Sequence, residues 1–216
     1  VLRTNLDMVI DRKPGEAFVT MFTSFNPNAG KTFIIQNIAA SMSLKPSKVL
    51  LLDLDLRKAT LSKALDKDHR GVAAYLNGKV EDYHDHIDVI SEGLSVLPVG
   101  KLPPNPAELL LSEKFQSLMD SLKKEYDYIF IDCPPIDIVA DAAIVTKIVD
   151  MTVFIVRAGL LDKRSLPLIE SLYHSGRYNR MAIVLNGVDI ESRRYGNYGY
   201  GYGYGYGYGY GNSSEE

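Results

Sequence analysis

The chain has 216 residues, a formal net charge of -3, 46% hydrophobic residues and one cysteine. That size and apolar content suit a single domain with a substantial core, and the charge excludes the overall basic field that drives sequence-independent nucleic-acid binding. Cys133 has no internal disulfide partner, which fits a reducing compartment, and the sequence holds neither a run near the roughly 18 apolar residues of a membrane span nor a basic-then-apolar signal segment at its start.

Leu2, Leu6, Val9 and Ile10 share one helical face with no capping residue ahead of them, so the chain reads as opening inside a helix and as a piece of something longer. Strand-sized apolar runs follow at 17–22, 49–54, 94–99, 128–131, 151–156 and 181–185. Helical patterns at 31–44, 106–125, 139–148 and 163–175 lie between them. This alternation predicts an α/β fold, a mostly parallel sheet with helices on both faces. Asn105, Pro106 and Glu108 have the order of a capping box at the start of the 106–125 helix. From Arg193 the composition changes, and after Arg194 the chain is mostly alternating Tyr and Gly with no charge before Glu215, which predicts a flexible tail rather than core.

Three strand ends carry chemistry. The first run, FVTMFTSFNPNAGKTF at 18–33, passes from strand through loop into helix with Gly30-Lys31-Thr32 at the helix start. A helix N-terminus offers unpaired N–H groups and a positive dipole end, Lys31 adds a mobile charge for outer phosphates, and Thr32 brings a hydroxyl for magnesium. The first glycine of GxxxxGK[ST] is Phe25 here, so the bare pattern is incomplete and a chance Gly-Lys-Thr at a helix start competes with it. The second, VLLLDLDLRK at 49–58, ends in Asp53 and Asp55, which period two places on one side with Leu54 on the other. Paired acids at the C-terminal end of a parallel strand suit a divalent cation or a proton acceptor; a solvated loop balancing Arg57 and Lys58 is the bland alternative. The third, YDYIFIDCPP at 126–135, delivers Asp132 at a Walker B position before Pro134 and Pro135 stop the strand. Together the three predict a P-loop NTPase-like nucleotide site.

Two other features carry less. His69-Arg70-Gly71 lacks the following Asp and the Asp-Phe-Gly triplet of a eukaryotic kinase. His84 and His86, interspersed with Asp82, Asp85 and Asp88, read as a solvated loop rather than a metal site because no preorganised ligand set is visible.

Jointly the motifs resemble the bacterial tyrosine kinases of capsular and extracellular polysaccharide export. That family's Walker A lacks a strict first glycine and carries a proline three residues before the last one, as Pro27 precedes Gly30; its DxDxR follows three apolar residues, as in Leu50 to Leu52 with Asp53, Asp55 and Arg57; its DxPP matches Asp132, Pro134 and Pro135. LPPNPAELL at 102–110 and the terminal tyrosine cluster also match. The resemblance implies an ATP-dependent protein-tyrosine kinase, with domain 1–194 and an autophosphorylation tail 195–216. It implies that Pro27, Asn28, Ala29, Gly30, Lys31, Thr32 and Phe33 hold ATP, that Thr32, Asp55 and Asp132 hold Mg2+, that Asp53 is the base, and that Arg57 belongs to the catalytic set. It also implies that Asn186 reads adenine, as in related ATPases, and that Tyr195, Tyr198, Tyr200, Tyr202, Tyr204, Tyr206, Tyr208 and Tyr210 are acceptors. The implied partners are neighbouring copies of the chain, a transmembrane activator, fused or separate, and a tyrosine phosphatase, at the cytoplasmic face of the bacterial inner membrane. Ring-forming members carry ExxRxxR before an Arg-Thr-Asn-Leu segment; here Arg3-Thr4-Asn5-Leu6 is present, and the Glu and first Arg would precede Val1.

Two other functions compete. A partition or positioning ATPase of the deviant Walker A class needs KGGxGK[ST], but its signature lysine falls on Asn26 and its glycines on Pro27 and Asn28. A non-catalytic interaction module would use the Tyr-Gly tail as cohesive low-complexity sequence.

Overall fold

The computed structural model describes residues 2–67, 70–136 and 141–189. In chain order these form α1 (Leu2–Val9), β1 (Phe18–Ser24), α2 (Lys31–Met42), β2 (Val49–Asp53), α3 (Thr60–Ala64), α4 (Val72–Leu76), β3 (Asp88–Ser91), β4 (Leu94–Leu97), α5 (Pro106–Leu110), α6 (Glu113–Glu125), β5 (Tyr128–Asp132), α7 (Asp141–Val145), β6 (Met151–Arg157), α8 (Leu166–His174) and β7 (Met181–Asn186). The tail tyrosines proposed as acceptors lie outside the described residues. Among the described residues, no helix is long and apolar enough to cross a membrane.

The strands make one sheet in the order β3-β4-β2-β5-β1-β6-β7. All adjacent pairs are parallel except β3 with β4. Both faces are covered, which is why β1 and β2 are buried at every position rather than at alternate ones. Period two still sorts the side chains. Val19, Met21, Leu50, Leu52, Ile129 and Ile131 pack with Phe115, Leu118, Met119 and Leu122 of α6, whereas Phe22, Leu51, Phe130 and Val153 pack with Ile34, Ile35 and Ile38 of α2. The six strand runs and the α/β class are thus found where the apolar pattern placed them.

Local departures have identifiable causes. The expected helix over 106–125 is two helices, because Ser112 is extended and its hydroxyl accepts from Phe115 N at 3.2 Å, an N-cap that starts α6 afresh. Asn105 stands at the N-cap position of α5, as expected, but its side chain accepts no helix N–H; its Nδ2 donates to Glu108 Oε2 at 2.8 Å instead. The stretch containing His84 and His86 forms one 3-10 turn, with His84 Nδ1 2.6 Å from Asp82 and Nε2 3.2 Å from Glu125. No metal-holding group of three or more His, Cys, Asp or Glu occurs among the described residues.

Phe130 is fully buried at the centre of the sheet with its ring edge-on to Phe22. Phe130→Ala should therefore cost about 3–5 kcal/mol in urea unfolding, from lost transfer energy and the cavity left behind. Leu44→Ala, at a side chain 81% exposed, should stay within about 0.5 kcal/mol of the parent.

Candidate active site

Parallel pairing puts the C-terminal ends of β1, β2, β5, β6 and β7 along one rim, where open parallel sheets bind ligands. The loop from β1 to α2 lies in that rim. Its first residue after the strand, Phe25, is 5% exposed and stacks on Phe154 beside Ile169. The residue replacing the usual glycine is therefore an anchor that ties the loop to the apolar cluster under α8. Asn28 and Gly30 take positive φ, 62° and 91°. At Gly30 the reason is double, because a Cβ there would also sit 2.3 Å from Asn186 Nδ2.

The loop is held from the neighbouring strands. Asn186, the last residue of β7, donates through Nδ2 to Ala29 O at 2.9 Å and accepts from Gly187 N at 2.9 Å. Arg157, its register partner on β6, donates to Asn28 O at 3.1 Å. Both ends of the Asn186 amide are thus engaged near the loop, and Asn186 is not among the residues lining the cleft. β7 thus brings Asn186 against the loop backbone.

The cleft has a volume of about 350 Å³. Pro27, Asn28, Ala29, Gly30, Lys31, Thr32, Phe33 and Asp55, all named from the motifs, line it. Ser24, Lys58, Thr60, Pro135 and Arg157 line it as well. Arg157 carried no signal in the sequence, since the β1–β6 register brings it to the loop; Lys58 and Thr60 were visible only as neighbours of the second motif. Lys31, Lys58 and Arg157 outnumber Asp55 among the charged lining residues, and α2 starts there with no acid in its first turn. Such a wall favours a polyanion. Arg57 is exposed and does not line the cleft.

Beneath the cleft, β2 and β5 run in register with Asp53 beside Asp132, both fully buried. Asp132 Oδ2 accepts from Thr32 Oγ1 at 3.0 Å, and its Oδ1 lies 3.1 Å from Lys31 Nζ. Lys31 occupies at most one of the two lone pairs of buried Oδ1, which keeps another to offer. Burial works against the Lys31 ammonium, but the Asp132 carboxylate outweighs it and holds the pKa above the ordinary value. Burial pushes Asp132 up against the opposing pull of Lys31 and Thr32. Asp53 Oδ2 accepts from Ser62 N at 2.8 Å and Ser62 Oγ at 2.6 Å, and Oδ1 from Asp55 N at 3.0 Å. Even so, burial and the neighbouring Asp132 raise Asp53 to about 7. Ser62, which also accepts from Val99 N at 2.9 Å, was missed in the sequence because nothing in the motif spacing points nine residues beyond Asp53.

A nucleoside triphosphate with magnesium fits this donor set. The helix start and cations suit phosphates, and the Thr32 hydroxyl beside the open Asp132 Oδ1 suits a hard cation that takes oxygen ligands and keeps some of its waters.

A family model described as an AAA domain matches residues 23–158. The chain is similar to a tyrosine-protein kinase, CpsD, of Streptococcus pneumoniae, 34% identical over 183 residues that cover 84% of this chain and 81% of that protein. It is also similar to the tyrosine-protein kinase wzc of Salmonella typhimurium, 32% identical over 92% of this chain but only 27% of the longer protein. The solved kinase domain of the Escherichia coli tyrosine kinase ETK superposes with a TM-score of 0.78 at 32% identity, covering 94% of this chain and 78% of that one. Structures at lower identity, such as a plasmid partition protein at 18% with a TM-score of 0.61, share the fold alone.

Two predictions follow from the geometry of the loop and the acids. Gly30→Ala should destabilise by about 1–3 kcal/mol in urea unfolding. Combined with Asn186→Ala it should cost less than the sum of the two, since the collision disappears and the backbone penalty stays. Asp53 binds its proton more tightly folded than unfolded, so between about pH 4 and the folded value of about 7 the native state holds the extra proton. Stability of the parent relative to Asp53→Asn should therefore fall as pH rises through that window and level off above it, read from urea unfolding in magnesium-free buffer.

Proposed function

Because this chain belongs to the bacterial tyrosine kinase family, we propose that it is an ATP-dependent protein-tyrosine kinase whose acceptors are the tyrosines of its own tail, presented between molecules. The observation that carries this reading is the convergence of Lys31, Thr32 and Asp132 beneath a cation-lined cleft at the start of α2. The partition-type ATPase fits less well, since Asn26 stands where that class has its lysine and since likeness to such proteins is confined to fold.

The loop 27–33 binds the phosphates through the helix start, while Lys31 trades its contact with Asp132 for the outer phosphates. Thr32, Asp55 and Asp132 would hold magnesium, which when bound neutralises phosphate charge. Asp53 takes the proton of the incoming phenol as the tyrosine oxygen bonds to the γ-phosphorus and the bond from that phosphorus to the ADP oxygen breaks. To accept that proton Asp53 exchanges one of the hydrogen bonds from Ser62. Asn186 and Arg157 keep the loop in place. Arg57, exposed at the end of the second motif, is assigned to the catalytic set by the family pattern alone.

Residues 1–194 then form the kinase body and 195–216 the tail. The fitting setting is polysaccharide synthesis and export at the cytoplasmic face of the inner membrane, with neighbouring copies, a transmembrane activator and a tyrosine phosphatase as partners.

With ATP and magnesium, Lys31→Met should lower phosphotyrosine by about 100-fold or more while far-UV circular dichroism is unchanged. Phosphate release by the parent without phosphotyrosine would instead establish the hydrolase. Mixing the full-length Lys31→Met chain with an active chain ended at Arg194 should label the intact tail. An unlabelled tail, beside self-labelling of the parent at a specific rate independent of concentration, would reject transfer between molecules.

A further inference from the structure

The two edges of the sheet differ in kind. β3 has four residues, begins at Asp88 and pairs antiparallel with a register shift, features that discourage further pairing. β7 has six residues, MAIVLN, with no charge and no proline, and among the described residues it pairs with β6 alone. Its other side is a row of backbone donors and acceptors of the kind that templates a new strand. Beside this edge lies an apolar groove of about 690 Å³, lined by Val156, Leu166, Ile169, Tyr173, Ile183 and Leu185 and rimmed by Glu170 and His174. Leu166, Tyr173, Ile183 and Leu185 are 53%, 60%, 52% and 52% exposed, more apolar surface in one place than scattered surface residues explain.

We propose that the chain's own Tyr-Gly run, residues 198–210, docks on the free edge of β7 as an added antiparallel strand with its tyrosines in this groove. The run alternates strictly, with tyrosine at every even position from Tyr198 to Tyr210 and glycine between. Extended, it turns every tyrosine to one face and every glycine to the other. On β7 the odd positions, Ile183 and Leu185, line the groove, while Ala182 and Val184 pack toward α2. Aromatic rings beside aliphatic side chains are favourable cross-strand neighbours, and the hydroxyl ends can remain at the wet rim. A slip of two residues restores the same face, so the repeat docks in several equivalent registers, whereas a one-residue slip removes all the rings from the groove. β7 is about 20 Å long at ~3.3 Å per residue, enough for about three of the tyrosines at a time.

Chain connection favours this occupant. β7 ends at Asn186, and residues 187–197, with Gly187 at φ 67° and a second glycine at 196, connect it to the run. A tether of that length holds the run near the edge at an effective concentration on the order of millimolar, far above that of a second copy in dilute solution. Neither the run nor β7 contains a charge, so none has to be desolvated. Docking would withhold the seated tyrosines from phosphoryl transfer; that consequence rests on the kinase reading, whereas the docking does not.

Hydrogen exchange on the full, phosphatase-treated chain without nucleotide tests the proposal. The comparison is a full-length chain with serine at all seven even positions from 198 to 210, which leaves the folded body untouched. Outward-facing amides of 181–186 should exchange about ten-fold more slowly in the parent, with the rest of the body unchanged. Equal exchange in the two chains overturns the docking. Protection that grows with protein concentration assigns the edge to a second copy and overturns the own-chain occupant. Because the readout needs no ATP, failure of the kinase assay and failure of the docking are separable.

Discussion

Two carboxylates buried side by side constrain the rest of this structure. The in-register pairing of β2 with β5 leaves Asp53 and Asp132 adjacent at the sheet rim with no exposure to solvent. A pair of like charges in such a place is costly unless nearby groups compensate it, and the chain supplies that compensation from three directions. Lys31 and Thr32 come from the first turn of α2, Ser62 from α3, and the amide of Asp55 from the turn beyond β2. Each group that steadies an acid also fixes an element: α2 is pinned over β5, and α3 is pinned to β2 and, through Val99 N, to the segment after β4. Fold stability and site geometry thus rest on the same contacts.

This arrangement explains why the site is poised for exchange. Lys31 is attracted to the very carboxylate that a metal would approach, and Asp132 Oδ1 retains an unused lone pair beside it. On the proposed kinase reading, an arriving phosphate and cation would take over the partners of these two residues without leaving a buried charge alone, so that binding would exchange interactions rather than create them from solvent-exposed groups.

The loop above the acids has little helix or strand to define it, and its shape comes from its surroundings. Phe25 anchors one end in the cluster of Phe154 and Ile169, Arg157 and Asn186 hold the carbonyls of Asn28 and Ala29, and Gly30 leaves the space that Asn186 fills. Two strands and a helix far from it in sequence therefore shape one six-residue turn, and the absent first glycine is replaced by tertiary packing rather than by backbone freedom.

Much of this was legible in the residues alone. Apolar runs of strand length, alternating with helical periodicity, are a local signal, and the runs at 49–54 and 128–131 mark β2 and β5 together with the acids at their ends. The division of the expected helix at Ser112 and the antiparallel β3 escaped because short polar segments carry weak periodicity, and a serine that caps one helix looks in sequence like a residue inside another. The sequence by itself picked out Gly30, Lys31 and Thr32 as a candidate phosphate loop, since that choice depends on residue type at a strand-to-helix junction. Only the tertiary structure decided which of them meet: Asp53 with Asp132, Ser62 with Asp53, and Arg157 and Asn186 with the loop depend on strand order and register, and these are set by long-range packing that no local spacing encodes.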